Sequence, residues 1–308
     1  MNKSTKVILI TAGALIGSGL IIGGIGYAAS GFSFRRNFEE TYERKEAVIT
    51  DDFSSIEIEE IGDDVMIVPS EGDEVRVVYY DSNYLVHEVG VAGDTLNIKV
   101  DDLTGKHWWE NVRFSFDLDG DDDESRKTIL YLPAGDYESL TVSAVSSEVS
   151  VPQDYSFTAF ELNTVSGDLS LLASVNGNIT IEGVSSSLRL SCGDCGSIKI
   201  DTVSGNVDIT GCRADGSITF NTTSGDIMLT SSSAVSTEIN VISGDITLTD
   251  YETGTMGISA TSGDISGNLI GDHYFDIDTV SGDITLPSSI QGAPEVSINT
   301  VSGDICLR

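Results

Sequence analysis

Six aspartates hold the same place in a repeated phrase of this 308-residue chain: Asp168, Asp226, Asp245, Asp264, Asp283 and Asp304. Each follows a Ser-Gly pair, and Asn206 takes the same place after Gly205. Carboxylate oxygens are hard ligands, so a column of them is a candidate calcium ladder. A purely structural role explains the same pattern. Glycine supplies the positive φ that a tight corner needs, and Asp or Asn closes the corner by accepting backbone N–H bonds. Charges about 4.8 Å apart repel by only about 1 kcal/mol in water, so such a column stands without an ion. Ser187 and Asn206 interrupt the acids, and no nonapeptide calcium-roll pattern is present. The structural role is the expectation, with calcium as its rival and no metal site assigned.

Cysteine offers a second kind of chemistry. Cys192-Gly-Asp-Cys195 is a CxxC. A zinc or redox site needs a second ligand pair or a thioredoxin-like setting, and neither is present. Cys212 follows Cys192 by 20 residues, the length of one repeat. The two should stack in neighbouring coils, where either a Cys192–Cys212 disulfide or two small buried side chains would fit. With Cys306 there are four cysteines, too few for a fold built on disulfides.

Other candidates are weaker. The acidic stretch at 117–124, DLDGDDDE, lacks the glycine and glutamate positions of an EF-hand and reads as a solvated hairpin tip. His87, His107 and His273 are scattered without a ligand or base partner. The aromatic pair in HWW at 107–109 suits packing beside that hairpin better than a sugar platform. A glycosidase needs two positioned carboxylates, and no pair stands out from the repeat. A lyase for acidic sugars needs basic subsites, which the later chain lacks. No catalytic residue, cofactor or enzymatic activity is expected.

The elements that position these residues come from the repeat. Aligned on its serine, the phrase occurs at Ser146, Ser166, Ser185, Ser204, Ser224, Ser243, Ser262, Ser281 and Ser302. The steps are 20, 19, 19, 20, 19, 19, 19 and 21 residues. An apolar residue stands four before each serine and three after it, as in Ile298 and Ile305 of the last copy. Polar residues alternate with them, the pattern of half-buried strands. Each copy is strand, corner, strand and loop, with the corner at Gly167, Gly205, Gly225, Gly244, Gly263, Gly282 and Gly303. One copy cannot bury its own apolar face, but stacked copies can.

The expected fold is all-β: a single-stranded parallel β-helix, or β-solenoid, of about 19–20 residues per coil. A sandwich of hairpins would not need in-register identity at that spacing. Nine coils rising about 4.8 Å each make a rod roughly 43 Å long. Residues 136–308 form the repeats and 51–135 an N-terminal β region with a hairpin. IEIEEIGDDVMI at 56–67 already fits the template, with Gly62 in the serine slot. The final copy, INTVSGDICLR, is expected to end the stack with Ile298 and Ile305 inward, Gly303 at the turn and Asp304 closing it.

From Val7 to Ala29 there are 23 residues without a charge, enough for one transmembrane helix. The apolar run exceeds the core of a cleaved signal peptide, so residues 1–31 read as an uncleaved anchor and 32–50 as a connector. Gly13/Gly17 and Gly19/Gly23 give GxxxG spacings that can pair helices. Net charge is −33 and the isoelectric point is near 4.1, which excludes nucleic acid as a partner. After Glu161 the only basic residues are Arg189, Lys199, Arg213 and Arg308. Basic residues flank the anchor on both sides, but long domains are exported largely regardless of charge. The expectation is a single-pass cell-membrane protein with its C-terminal domain extracytoplasmic.

The anchor, the opening FSSIEIEEIGDDVMIVPSEGDEVRVVY, the segment ILYLPAGDYESLTV and the repeated TVSGDI together resemble the bacterial domain of unknown function 4097 family. Its members are β-strand-repeat proteins called putative adhesins. The resemblance spans almost the whole chain. It implies a membrane-associated envelope protein without established enzymatic activity, and it carries over no catalytic or ligand residue. The expected function is a non-catalytic envelope rod presenting an acidic surface. Its expected partners are the membrane, an unidentified envelope protein or polysaccharide, and a second copy through the anchor helix or the C-terminal coil. The alternatives are a scaffold for a membrane signalling or envelope-stress system, and a polysaccharide-active β-helix enzyme.

Overall fold

The computed structural model describes residues 41–83, 85–102 and 126–308. The anchor segment, the acidic turn at 117–124, His107 and both tryptophans lie outside the described residues. Within those residues every regular element is a strand, and no helix is long and apolar enough to cross a membrane.

The apolar alternation of the sequence becomes the core of a β-solenoid. In one coil the strand Tyr155–Ser166 turns its corner into Leu169–Leu171. Tyr155, Phe157, Phe160, Leu162, Leu169 and Leu171 all point inward, each at most 2% exposed. The next coil repeats this with Ile179–Ser185 and Leu188–Leu190. Pairing is parallel and serine-matched. Ser166 lies against Ser146 on one side and Ser185 on the other, and Leu162 lies between Val142 and Ile181. Burying such side chains contributes about 1.5–3 kcal/mol each, a gain available only to a stack.

The phrase Thr-Val-Ser-Gly-Asp is the corner. The buried threonine hydroxyl two residues before the serine donates to the serine carbonyl, at 3.1 Å in both Thr164→Ser166 and Thr202→Ser204. The chain then turns through glycine, with φ of 128° at Gly225 and 125° at Gly263. A Cβ on Gly225 would collide with the carbonyl oxygen of Gly205, and one on Gly244 with that of Gly225. Each coil therefore occupies the space a side chain would need in the next.

Both ends depart from a simple stack. Glu295–Ser302 pairs with Ile246–Ser262 on one side and with Tyr274–Ser281 on the other. Ile305–Leu307 likewise lies between Ile265–Leu269 and Ile284–Thr285. The last phrase of the sequence is thus interposed, and the coil at 274–285 ends the stack. This corrects the expectation for INTVSGDICLR. Ile298 and Ile305 do point inward, at 0% and 1% exposure. A terminal segment gains from this order, because both of its edges are hydrogen-bonded and it cannot fray as an outer strand would.

The other end uses the same device. Ser55–Glu60 sits between Thr95–Asp102 and Gly135–Ser146, and Asp64–Pro69 pairs with both Lys127–Leu132 and Val149–Val151. The first coil in sequence is therefore second in space. Beyond it the pairing turns antiparallel. Val75–Ser82 lies between Lys127–Leu132 and Tyr42–Ile49, while Leu85–Ala92 covers Thr95–Asp102. The fold is a parallel solenoid with an antiparallel cap, not a parallel helix throughout.

The corner makes a sharp stability prediction. Gly225→Ala should cost more than the roughly 1–3 kcal/mol of a strained φ alone, because the carbonyl of Gly205 must also move. Gly257→Ala is the matched control, since its Cβ would meet open space and its φ is not positive. It should be neutral or stabilise by about 0.4–1 kcal/mol. Urea denaturation of both proteins checks the contrast; equal midpoints would refute the packing account.

Candidate functional site

The corner aspartates form a column along the stack, unbroken from Asn206 to Asp283. Asp226 Oδ1 accepts the backbone N–H of Asp245 at 2.9 Å, and Asp245 Oδ1 accepts that of Asp264 at 2.8 Å. Asp264 serves Asp304, and Asp304 serves Asp283, each at 2.8 Å. Asn206 does the same for Asp226 and Asp168 for Ser187, both at 3.0 Å. Asp64 extends the motif to the first coil by accepting from Glu148 at 3.0 Å. One oxygen of each acceptor is thus committed to the next coil. Among the described residues no three acidic, histidine or cysteine side chains converge as a metal site.

Cys192 and Cys212 stack in adjacent coils, with Cα atoms 5.3 Å apart and their sulfurs joined as a disulfide. They belong to an inward corner column with Ala173, Ser232 and Tyr251, all at most 2% exposed. Cys195 is free and buried. Burial, with the nearby charges of Asp215 and Asp194, pushes its thiol up to about 11, so it is a poor nucleophile. The CxxC is divided between a structural bridge and an inert thiol.

A second cluster lies inside the antiparallel cap. His87 is 7% exposed, with Nδ1 3.0 Å from Asp81 Oδ1 and Nε2 3.2 Å from Glu60 Oε2. Glu60 Oε2 also accepts from Thr128 Oγ1 at 2.6 Å. Asp81 accepts the His87 backbone N–H at 2.8 Å and pairs with Lys45 Nζ at 2.8 Å. The Tyr79 ring lies 5.0 Å from the imidazole. Asp63, also buried, accepts from Arg126 Nε at 3.1 Å. Lys45, Glu60, Asp81, His87 and Thr128 come from five different strands, so the cluster rivets the cap to the first coils.

Burial alone would lower the His87 pKa, but hydrogen bonds and attraction from Glu60 and then Asp81 outweigh it and raise it above 6.5. Imidazolium is the form that donates to both carboxylates at once. For Asp63, burial and the Glu60 charge push the carboxyl up to about 6, against the pull of Arg126.

The family model described as Toastrack DUF4097 matches residues 53–219 and 214–308. The chain belongs to the Toastrack family. Among solved structures, a putative adhesin of Bacteroides fragilis NCTC 9343 is similar at 15% identity and a TM-score of 0.41, covering 87% of this chain and 97% of that one. A putative adhesin of Parabacteroides distasonis ATCC 8503 gives 15% and 0.43, with 88% and 98% covered. A putative lipid binding protein of the same organism gives 15% and 0.40, with 86% and 96% covered. No curated protein matches. Likeness of this order leaves those activities with those proteins.

In this Toastrack protein the cluster around His87 has the residue types of an acid–base site but not its geometry. The Thr128 hydroxyl donates to Glu60 rather than to the imidazole, and it is fully buried. No substrate atom can reach it. This corrects the expectation that His87 has no partner: Asp81 and Glu60 lie 6 and 27 residues away, on strands brought together only by the cap, so spacing does not reveal them. His273 is buried near the other end, with Phe275 as its ring neighbour at 6.1 Å. A shallow groove of about 370 Å³ opens on the outer sheet face between Ser217, Thr219, Glu238, Asn240 and Gly257. Its polar lining includes one carboxylate, Glu238.

Two tests follow from these geometries. Asp245→Asn keeps the Oδ1 acceptor, as Asn206 does, and should leave thermal stability nearly unchanged. Asp245→Ala should lose about 1 kcal/mol, the net worth of one hydrogen bond. A calcium-dependent melting temperature that Asp245→Asn abolishes would instead make the column a metal site.

The cap should respond to pH with a defined sign. A raised folded pKa stabilises the protonated form, so the His87 contribution is complete below about pH 6.5 and is lost as pH rises through its folded value. Asp63 acts in the same sense over a lower window, from its ordinary 3.8 to about 6. The urea midpoint of the parent should fall as pH rises above about 6.5, and His87→Gln should flatten that fall. An equal fall in the variant would show that other groups cause it.

Proposed function

We propose that this Toastrack protein is a non-catalytic, membrane-anchored rod of the cell envelope whose extracytoplasmic body makes adhesive or docking contacts. The carrying observation is the corner column. The residues that recur most faithfully in the sequence have their polar atoms directed to the next coil's backbone. What the chain repeats is architecture. The outer faces carry short hydroxyl, amide and carboxylate side chains with few bases, which suits contact with an envelope protein or polysaccharide and repels nucleic acid.

The groove beside Glu238 favours binding over hydrolysis, since a glycosidase places two carboxylates across its substrate and one lines this groove. A role as scaffold for a membrane signalling or envelope-stress partner draws support from the coil at 274–285, which among the described residues pairs on one side only.

Surface display is testable through an engineered thiol. Met228 is 46% exposed on an outward strand position. In Met228→Cys, a membrane-impermeant maleimide should label intact cells as fully as permeabilised ones, with the parent protein as background. Labelling that appears only after permeabilisation would overturn the extracytoplasmic assignment.

A further inference from the structure

We infer that the C-terminal end of the solenoid is a docking edge for an extended, cationic strand of another protein. This rests on the non-catalytic docking role and names the kind of partner. The outermost coil, Tyr274–Ser281 with Ile284–Thr285, pairs only on its inner side among the described residues. The loop after it covers the start of this edge. Ile290 N–H donates to His273 O at 2.9 Å, and Phe275 N–H donates to Ser289 Oγ at 3.0 Å. From Ile277 onward no described segment lies alongside.

The core is incomplete there as well. Val296 and Ile298 are fully buried, whereas their neighbours Phe275 and Ile277 in the outer coil are only half-buried. Val280 is 80% exposed and Ile284 45%. The corner column also stops unfilled. Asp283 N–H donates to Asp304, but no backbone N–H among the described residues donates to the Asp283 carboxylate. One more strand would supply that N–H, pair with the edge and cover Ile277 and Ile284. The opposite end is built differently: antiparallel strands finish it, Tyr42–Ile49 against Val75–Ser82 and Leu85–Ala92 against Thr95–Asp102, so it presents no parallel coil and no corner aspartate of this kind.

Charge selects the occupant. Residues 214–307 contain ten aspartates, three glutamates and no lysine or arginine. Asp272, Asp276, Asp278 and Asp283 are all exposed around the open edge. A second copy docked end to end would set these acids against themselves. A strand with apolar residues on one face and lysine or arginine on the other covers the core and pairs the acids. Main-chain bonds would then give affinity, and alternate side chains specificity.

The test uses full-length protein in detergent micelles and a labelled peptide alternating lysine and valine, followed by fluorescence anisotropy. Two further peptides carry backbone N-methyl groups on odd or on even residues only. A docked strand presents one set of N–H groups to the edge. One methylated peptide should therefore bind at least about tenfold more weakly, while the other stays within about twofold of the parent. The exposed double variant Asp276→Asn, Asp278→Asn should weaken binding several-fold, and hydrogen exchange should slow at 277–286 when peptide binds. Equal binding by both methylated peptides would reduce the effect to charge and overturn the inference. So would failure of the peptide together with concentration-dependent dimers of the protein, which would make a second copy the occupant. Neither result depends on which side of the membrane the body faces, so the surface-labelling outcome stands apart.

Discussion

Seven coils of this solenoid share one steric constraint at the corner: the carbonyl of a neighbouring coil fills the space that a Cβ on the corner glycine would need. Strands about 4.8 Å apart leave no room for both. Glycine is the only residue that satisfies the contact and the positive φ together. The rest of the phrase follows. A tight turn leaves a backbone N–H facing along the stack, and the aspartate of the neighbouring coil accepts it. The serine carbonyl turns inward, and a buried threonine hydroxyl satisfies it. The two glycine-slot exceptions support this account. Ser147 and Ser186 avoid positive φ, and each has a small residue, Ala144 or Gly183, where most copies carry threonine. Their hydroxyls are buried without a hydrogen-bond partner, and these corners keep the bond to the neighbouring aspartate but lack the threonine-to-serine bond.

Because the constraint is local, much of the fold is legible in the sequence. Serine-to-serine spacing gives the register, and the apolar places around it give the core. Coil order is not legible in this way. Ile277 and Ile298 fit equally well beside Ile258, since both stand four before a Ser-Gly-Asp corner. Their order in space depends on connections that the repeat does not encode. A repetitive sequence specifies how any two coils pair and leaves open which two do.

The cap around His87 was hidden for the opposite reason. It lies where the repeat is broken, and nothing there recurs. Glu60 and Thr128 are 68 residues apart and meet only because Lys127–Leu132 pairs in parallel with Asp64–Pro69, the strand that follows Glu60. A buried ionic cluster is a weak source of net stability, because desolvation offsets most of the attraction. It is a strong source of uniqueness, since each carboxylate left unpaired in a wrong arrangement would remain buried at high cost. An end made of interchangeable coils needs such a device to fix one closure.

The two ends of the rod are therefore unlike, and that difference governs association. An uncovered strand edge with half-exposed isoleucines is an aggregation hazard unless something guards it. Here the guard is the row of exposed aspartates at 272, 276, 278 and 283. Lysine would protect a bare edge equally well in a neutral chain. In a body with no lysine or arginine between Arg213 and Arg308, added lysines would attract the acidic flank of every other copy. Acid at the edge repels all copies and leaves only cationic strands able to approach. The charge that keeps the rod from adding to itself is also the charge that chooses what it can add.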